Sequence, residues 1–424
     1  MKLVTELDLA EMPIETPSFA TDPMPYLEAA RRRHSWLAKC NVGFVIHQYE
    51  AIRDLIYMDD KLRTSNDSVV EMMGAKGTRW GRFIENQILA KSAPEHTRIR
   101  GTVQACFTPR NINRYRSLMR DVVTRLLDEW APKGSFDFAE FASYFPIAVT
   151  CGMVGASRDS IRPIRDSFET EGLAFSLDRS LMPAMEAAFG VIWDFVDRLI
   201  LEREKRGGGE QDEILNTLIA ARNAGKLDEV ELRDLLIFIF AAGYDTSKNM
   251  LTLLMYTMLH HPQHWERCAV DQSFCHKVVQ EQFRHTSVAS PYRTVAQEIV
   301  YRDVRLPAGT LLVFPFPLAG RDPSSFADPT KFDPERTQTN RHIAFGRGMH
   351  MCLGQHLAVA QIEEGVHLIA QRLLQPKLAG EISWRPFPGV WGLQTLPISF
   401  IPGDLASELT GHAVEKAAAG GAAR

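Results

Sequence analysis

The chain has 424 residues, 45% hydrophobic and 24% charged, a balance that supplies an ordinary globular core. Its net charge of −4 carries no basic excess, which argues against a nucleic-acid binder. No apolar run approaches the ~20 residues of a membrane-spanning helix: the richest, Leu235 to Tyr244, stops at Asp245.

The N-terminus, MKLVTELDLAEMP, has neither a basic segment nor an apolar stretch of signal-peptide type, so no secretion and a cytoplasmic location are expected. The cysteines Cys40, Cys106, Cys151, Cys268, Cys275 and Cys352 form no CxxC pair and read as reduced thiols. In chain order, the apolar spacing predicts a helix over Pro25 to Ser35 and a strand over Gly43 to His47. Further helices are predicted over Pro94 to Cys106, Asn111 to Trp130 and Met182 to Glu204. KRGGGEQDE, Lys205 to Glu213, then reads as an exposed connection between helices.

The longest pattern runs from Asp228 to His260. Asp228 stands three residues before Glu231, as in a capping box, and roughly 33 residues give a helix of about 50 Å. Strands follow over Val295 to Tyr301, Thr310 to Phe314 and Gln394 to Phe400, where Pro397 implies a sheet edge. VRLPAGT, Val304 to Thr310, reads as a hairpin. No internal repeat is present. One helical domain with a small β component is expected over residues 1–402, with a fraying tail over 403–424.

Two stretches carry chemistry. In HIAFGRGMHMCLGQHL, glycines precede Cys352 and a helical pattern follows it. Glycines let successive N–H groups point at one anion, and a helix N-terminus adds positive charge. A buried structural thiol satisfies the same pattern, and zinc would need more ligands than His350 and Cys352 supply. In AAGYDTSKN, within the long helix, Asp245 needs a partner in an apolar core. Lys248 at i+3 and a bond from Thr246 to the Ala242 carbonyl are the local candidates.

Phe345 to Gly354 nevertheless resembles, at every fixed position, the F-x-x-G-x-x-x-C-x-G pattern of the cytochrome P450 family. Ala242, Gly243, Asp245 and Thr246 resemble that family's A-G-x-D/E-T motif. Glu281 and Arg284, with Arg336 in FDPER, resemble its E-x-x-R and meander arginine. APEHTRIR and SPYRT resemble its propionate-binding stretches. The resemblance spans about residues 20 to 400. One departure is LAVAQ after the cysteine, where the family often reads L-A-R-x-E.

The resemblance implies a mainly α fold with small β-sheets, the cytochrome P450 fold, whose long central helix crosses the domain over the haem. It implies haem b ligated by Cys352, with Phe345 beside the thiolate and His96, Arg100, Arg293 and His350 at the propionates. Asp245 and Thr246 would deliver protons for oxygen activation where Gly243 opens the helix ladder, and Asn249 would help hold waters. Glu281, Arg284 and Arg336 would form a buried structural network, and Phe238, Ala242, Val288, Trp391 and Leu393 would line the substrate pocket. Arg79, Arg82 and Arg179 are further candidates, for a substrate carboxylate. The implied activity is a monooxygenase acting on an apolar terpenoid, steroid or aromatic compound. Electrons would come from a ferredoxin and its NAD(P)H-dependent reductase, docking near Arg98, Arg110 and Arg347, and a monomer is expected. A peroxide-driven enzyme and a non-catalytic haem-thiolate sensor are the alternatives.

Overall fold

A computed structural model of the chain describes residues 1–207, 214–337 and 342–403. The glycine-rich connection after Arg206 and the C-terminal tail lie for the most part outside the described residues. The architecture is organised on the central helix Glu229–Leu259, 31 residues and so about 46 Å long. It starts at the expected capping box: Asp228 Oδ1 accepts from the Glu231 N–H at 2.7 Å, and Glu231 Oε2 accepts from the Asp228 N–H at 3.0 Å. The helix runs unbroken through Gly243, against the expectation that its ladder opens there. The hydroxyl of Thr246 and the amide of Asn249 bond to the carbonyls of Ala242 and Asp245 without displacing the turn.

The element packed most extensively on the central helix is Phe138–Val154, a helix buried almost all round that contains Pro146. The predicted helix over Asn111 to Trp130 is two, Pro109–Arg114 and Arg116–Trp130. They break at Tyr115, whose φ of −90° and ψ of 0° leave the helical region. Beyond the cysteine loop, Gln355–Arg372 completes the helical layer beneath the central helix.

A five-stranded sheet, in the order Leu37–Cys40, Gly43–Ile46, Leu311–Val313, Tyr292–Val295, Leu62–Thr64, covers a second, smaller apolar core. The sequence VRLPAGT is not a hairpin. Val304–Leu306 pairs with Ile299–Tyr301 and Lys2–Leu3, whereas Leu311–Val313 belongs to the five-stranded sheet, so the Pro/Gly segment passes between sheets. The actual hairpin turns at Arg302, which adopts a φ of 54°. Pro397–Pro402 is the middle strand of a three-stranded sheet and not its edge. Pro397 is tolerated as the first residue, where the missing N–H interrupts no ladder.

Two further helices pack on each other. Glu186, on the helix Met182–Arg206, accepts from the Arg79 and Trp80 N–H groups at 3.0 and 3.2 Å, capping the helix Arg79–Asn86 from outside. Phe83 packs on Phe189 with ring centroids 5.1 Å apart, and the Arg79 guanidinium lies over Trp193. Among the described residues, no helix is long and apolar enough to cross a membrane.

Candidate active site

The cysteine loop is a succession of tight turns. Gly346 and Gly348 adopt φ of 67° and 76°, conformations that side chains with a Cβ resist. The Gly346 N–H donates to Ile343, the Met351 N–H to Gly348, and the Cys352 N–H to Phe345 O at 2.9 Å. Asp59 fixes the loop from across the chain, accepting from the Met349 N–H at 2.6 Å. Burial pushes the Cys352 thiol up, while the Gly354 N–H and the Arg100 charge favour its thiolate. Phe345 packs against Phe283, with centroids 4.6 Å apart.

Above the loop lies a cavity of about 360 Å³. The central helix presents Phe238, Ala242, Gly243 and Thr246 to it, and the cysteine loop presents Phe345, His350 and Cys352. The Thr246 hydroxyl donates to Ala242 O at 2.7 Å. Val288 and Val390 also line the cavity. Trp391 and Leu393, expected beside them, do not. The Trp391 indole donates to Ala20 O at 2.9 Å and stacks on Trp384, and Leu393 sits in a strand paired with Trp384. Val390 faces the space instead, and the chain alternation turns its neighbour away. Arg79, Arg82 and Arg179 are likewise absent from the wall; the Arg79 guanidinium covers Trp193.

At one end of the cavity stand His96, Arg100, Arg293 and His350. The two imidazoles are 4.6 Å apart, centroid to centroid. Burial, together with the charges of Arg293, His96 and Arg100, lowers the His350 pKa to about 3, and burial lowers Arg293 to about 10. Among the described residues none of the four has an ion-pair partner, and His350 Nδ1 is buried without a hydrogen bond. Asp59, the acid that faces Arg293 and His96, already holds the Met349 N–H. Four uncompensated basic groups, an apolar slot and a thiol at its floor fit a flat apolar macrocycle carrying two carboxylates. The residues present therefore fit haem.

Asp245 does not line the cavity. Its carboxylate points the other way and is gripped by Arg385, which contacts both oxygens, with Nη2 at 3.3 Å from Oδ2. Lys248, the expected local partner, pairs instead with Glu169 at 2.7 Å. Asn249 is buried and donates to Asp245 Oδ1 at 3.0 Å. Arg385 was not anticipated. The available signal was that it is the lone charge in ISWRPFPGVWGLQTL, which marks a buried cation. On the cysteine side of the molecule, Glu281, Arg284 and Arg336 do meet: the first two pair at 2.6 Å with no side-chain exposure, and Arg336 lies 3.4 Å from Glu281.

The family model described as cytochrome P450 matches residues 165–375. Luteothin monooxygenase of Streptomyces thioluteus is 32% identical over 398 residues, covering 93% of this chain and 96% of that one. The chain belongs to the cytochrome P450 family. A second relative of this P450, 20-oxo-5-O-mycaminosyltylactone 23-monooxygenase of Streptomyces fradiae, is 29% identical and covers 74% of each chain. Among solved structures, epothilone B-bound cytochrome P450epoK superposes with a TM-score of 0.83 at 21% identity, over 92% of this P450 and 99% of that chain. CalO2 gives 0.84 at 22% identity, over 93% and 100%. The protein is a cytochrome P450 monooxygenase, and its fold is that of the family.

Proposed function

We propose that this P450 inserts one oxygen atom of O2 into an apolar small molecule held between the central helix and the cysteine loop. Residues 1–402 form one haem-thiolate domain in this reading. Cys352 would hold the iron, Phe345 would pack beside the thiolate, and His96, Arg100, Arg293 and His350 would hold the propionates. Bound haem supplies the iron that activates dioxygen, one atom going to substrate and the other to water at the cost of two electrons and two protons. Phe238, Ala242, Val288 and Val390 orient the substrate and exclude water. The Thr246 hydroxyl, free to exchange its bond to Ala242 O, passes protons into the cavity, and Asp245, the preceding residue, receives them on the side facing away from the cavity. Glu281, Arg284 and Arg336 hold the fold around the cysteine loop and take no part in the chemistry.

The observation that carries this reading is that Thr246 and Cys352 line the same cavity with Asp245 directly behind Thr246. One relative is named for polyketide biosynthesis and another for a mycaminosyltylactone, which supports an apolar biosynthetic intermediate as substrate. Electrons come from a separate ferredoxin and its NAD(P)H-dependent reductase in the cytoplasm. A surface depression of about 740 Å³ beside the cysteine loop, bordered by Arg347 and His356, supports docking there; Arg53 and Arg116 also border it but are paired with Asp54 and with Glu363 and Glu364. Arg98 serves elsewhere, bound to Glu231 and to Lys226 O.

The test begins with the reduced, CO-exposed absorption spectrum of haem-loaded protein, where a far red-shifted Soret band marks thiolate ligation. Apolar compounds are then screened by spin-state shift, and Thr246→Ala is compared with the parent during NAD(P)H turnover of the compound with the largest shift. Loss of reducing equivalents to peroxide supports the proton role. Unchanged coupling refutes it, and a normal Soret position refutes the ligand.

A further inference from the structure

The side chain behind Thr246 is held from several sides. Arg385 belongs to the segment between the paired strands Ser383–Trp384 and Leu393–Thr395 and is 1% exposed. Its two terminal nitrogens grip both oxygens of Asp245, and Nη2 also donates to Gly172 O at 2.7 Å. Asn249 occupies Oδ1 from the same helix. A Cβ on Gly172 would stand 2.6 Å from the Asp245 carboxyl carbon, so the end of the helix Ile161–Glu171 closes the remaining side. Arg385 Nε and Asn249 Oδ1 are buried and unpartnered, leaving one spare donor and one spare acceptor around the pair.

The surroundings determine what the fork does. Facing Asp245 are Glu169 and Glu171 from the helix Ile161–Glu171, Tyr244 and Lys248 from the central helix, and Arg385 from the C-terminal segment. Lys248 is committed to Glu169, which also accepts from the Tyr244 hydroxyl. Burial, with the neighbouring Glu169, raises Asp245 above the ordinary carboxylate range on balance; Arg385 is the largest opposing influence and Lys248 a smaller one.

We propose that Arg385 is a positioning residue for the acid of the proton relay: it holds Asp245 ionised and turned out of the cavity, ready to accept a proton from the Glu169 side. The proposal rests on Asp245 being the relay acid. Without the guanidinium, burial and two nearby carboxylates leave a neutral acid at Asp245, which no longer accepts a proton at neutral pH. The extra desolvation cost of the pair is then the cost of a base kept charged in an apolar interior.

The test is the carboxylic-acid C=O band in infrared pH-difference spectra of the haem-loaded protein, assigned to Asp245 by its loss in Asp245→Asn. The pH midpoint of that band should rise by about one unit or more in Arg385→Gln. Gly172→Ala, which drives a methyl into the carboxylate and leaves Arg385 in place, should move it in the same direction and serves if the first variant fails to fold. A parent-like midpoint in a folded, haem-loaded variant overturns the proposal. NAD(P)H coupling of Asp245→Asn separates the two readings. If coupling is unchanged, the relay assignment falls, whereas uncoupling in Asp245→Asn with an unmoved midpoint in the other variants removes the role of Arg385 alone.

Discussion

Replacing Arg284 by lysine should destabilise this P450 far more than its conservative look implies. All five guanidinium N–H groups of Arg284 are used. Nε and Nη2 bind the Glu281 carboxylate at 2.9 and 2.6 Å, Nη1 binds Gly320 O and Pro329 O at 2.7 Å each, and Nη2 also binds Lys331 O at 3.0 Å. Lysine offers three donors from one point, so at least two of these five buried bonds are lost. At about 1–3 kcal/mol for each, the loss is about 2–6 kcal/mol. An unfolding entropy of about 2.1 cal/mol/K per residue over a chain of this length gives ~0.9 kcal/mol per degree, hence a fall in Tm of about 2–7 °C. Arg305→Ala is the control: its partner Glu298 is 3.0 Å away, but both side chains are more than 40% exposed, and the expected fall is below about 1 °C. Circular dichroism melts of the haem-loaded proteins at one fixed scan rate measure both. Equal falls in the two variants would refute the argument that complete donor use, and not mere charge pairing, sets the contribution.

Three further outcomes are expected. Gly320→Ala places a methyl on the Arg284 carbonyl and should lower stability by about 1–3 kcal/mol or more, read by the same melts, although the backbone there suits alanine. Burial and the Asp245 charge raise the Glu171 carboxyl to about 7, so the folded state binds its proton more tightly than the unfolded chain. That stabilisation is complete below about pH 4.5 and is lost as pH rises through about 7, an effect of order 3 kcal/mol; urea midpoints from pH 5 to 8 should fall less steeply in Glu171→Gln, and parallel slopes would contradict this. Val390→Trp should abolish spin-state shifts by the larger apolar compounds, whereas Trp391→Phe should leave them intact and lose only the bond to Ala20 O, about 0.5–1.5 kcal/mol.

What the sequence made legible was local. The central helix announces itself through Asp228 and Glu231, whose partners are three residues apart, and the cysteine loop through glycines whose turns close on each other. Phe138–Val154 was not legible, because a helix buried on every face shows no polar stripe, and Pro146 within it reads as a break. VRLPAGT misled because its strands pair with segments far away in the chain, Lys2–Leu3 and Gly43–Ile46. The partner of Asp245 was hidden for the same reason: Lys248 is three residues away, but the guanidinium that binds it is 140 residues downstream. Trp391 looked like pocket wall because composition does not say which way a side chain points.

Two of the polar cross-links described above differ in exposure. Beneath the cysteine loop, Arg284 binds the carbonyls of Gly320, Pro329 and Lys331 from an unexposed position, so those backbone segments separate only if a buried charge is stripped of its partners. The helix Arg79–Asn86, by contrast, is capped by Glu186 at its exposed N-terminal residue Arg79, where water replaces a broken bond at little cost. The two cross-links therefore differ in what breaking them costs: a broken cap leaves the Arg79 N–H to water, whereas broken Arg284 links leave buried carbonyls and a buried carboxylate without their donor.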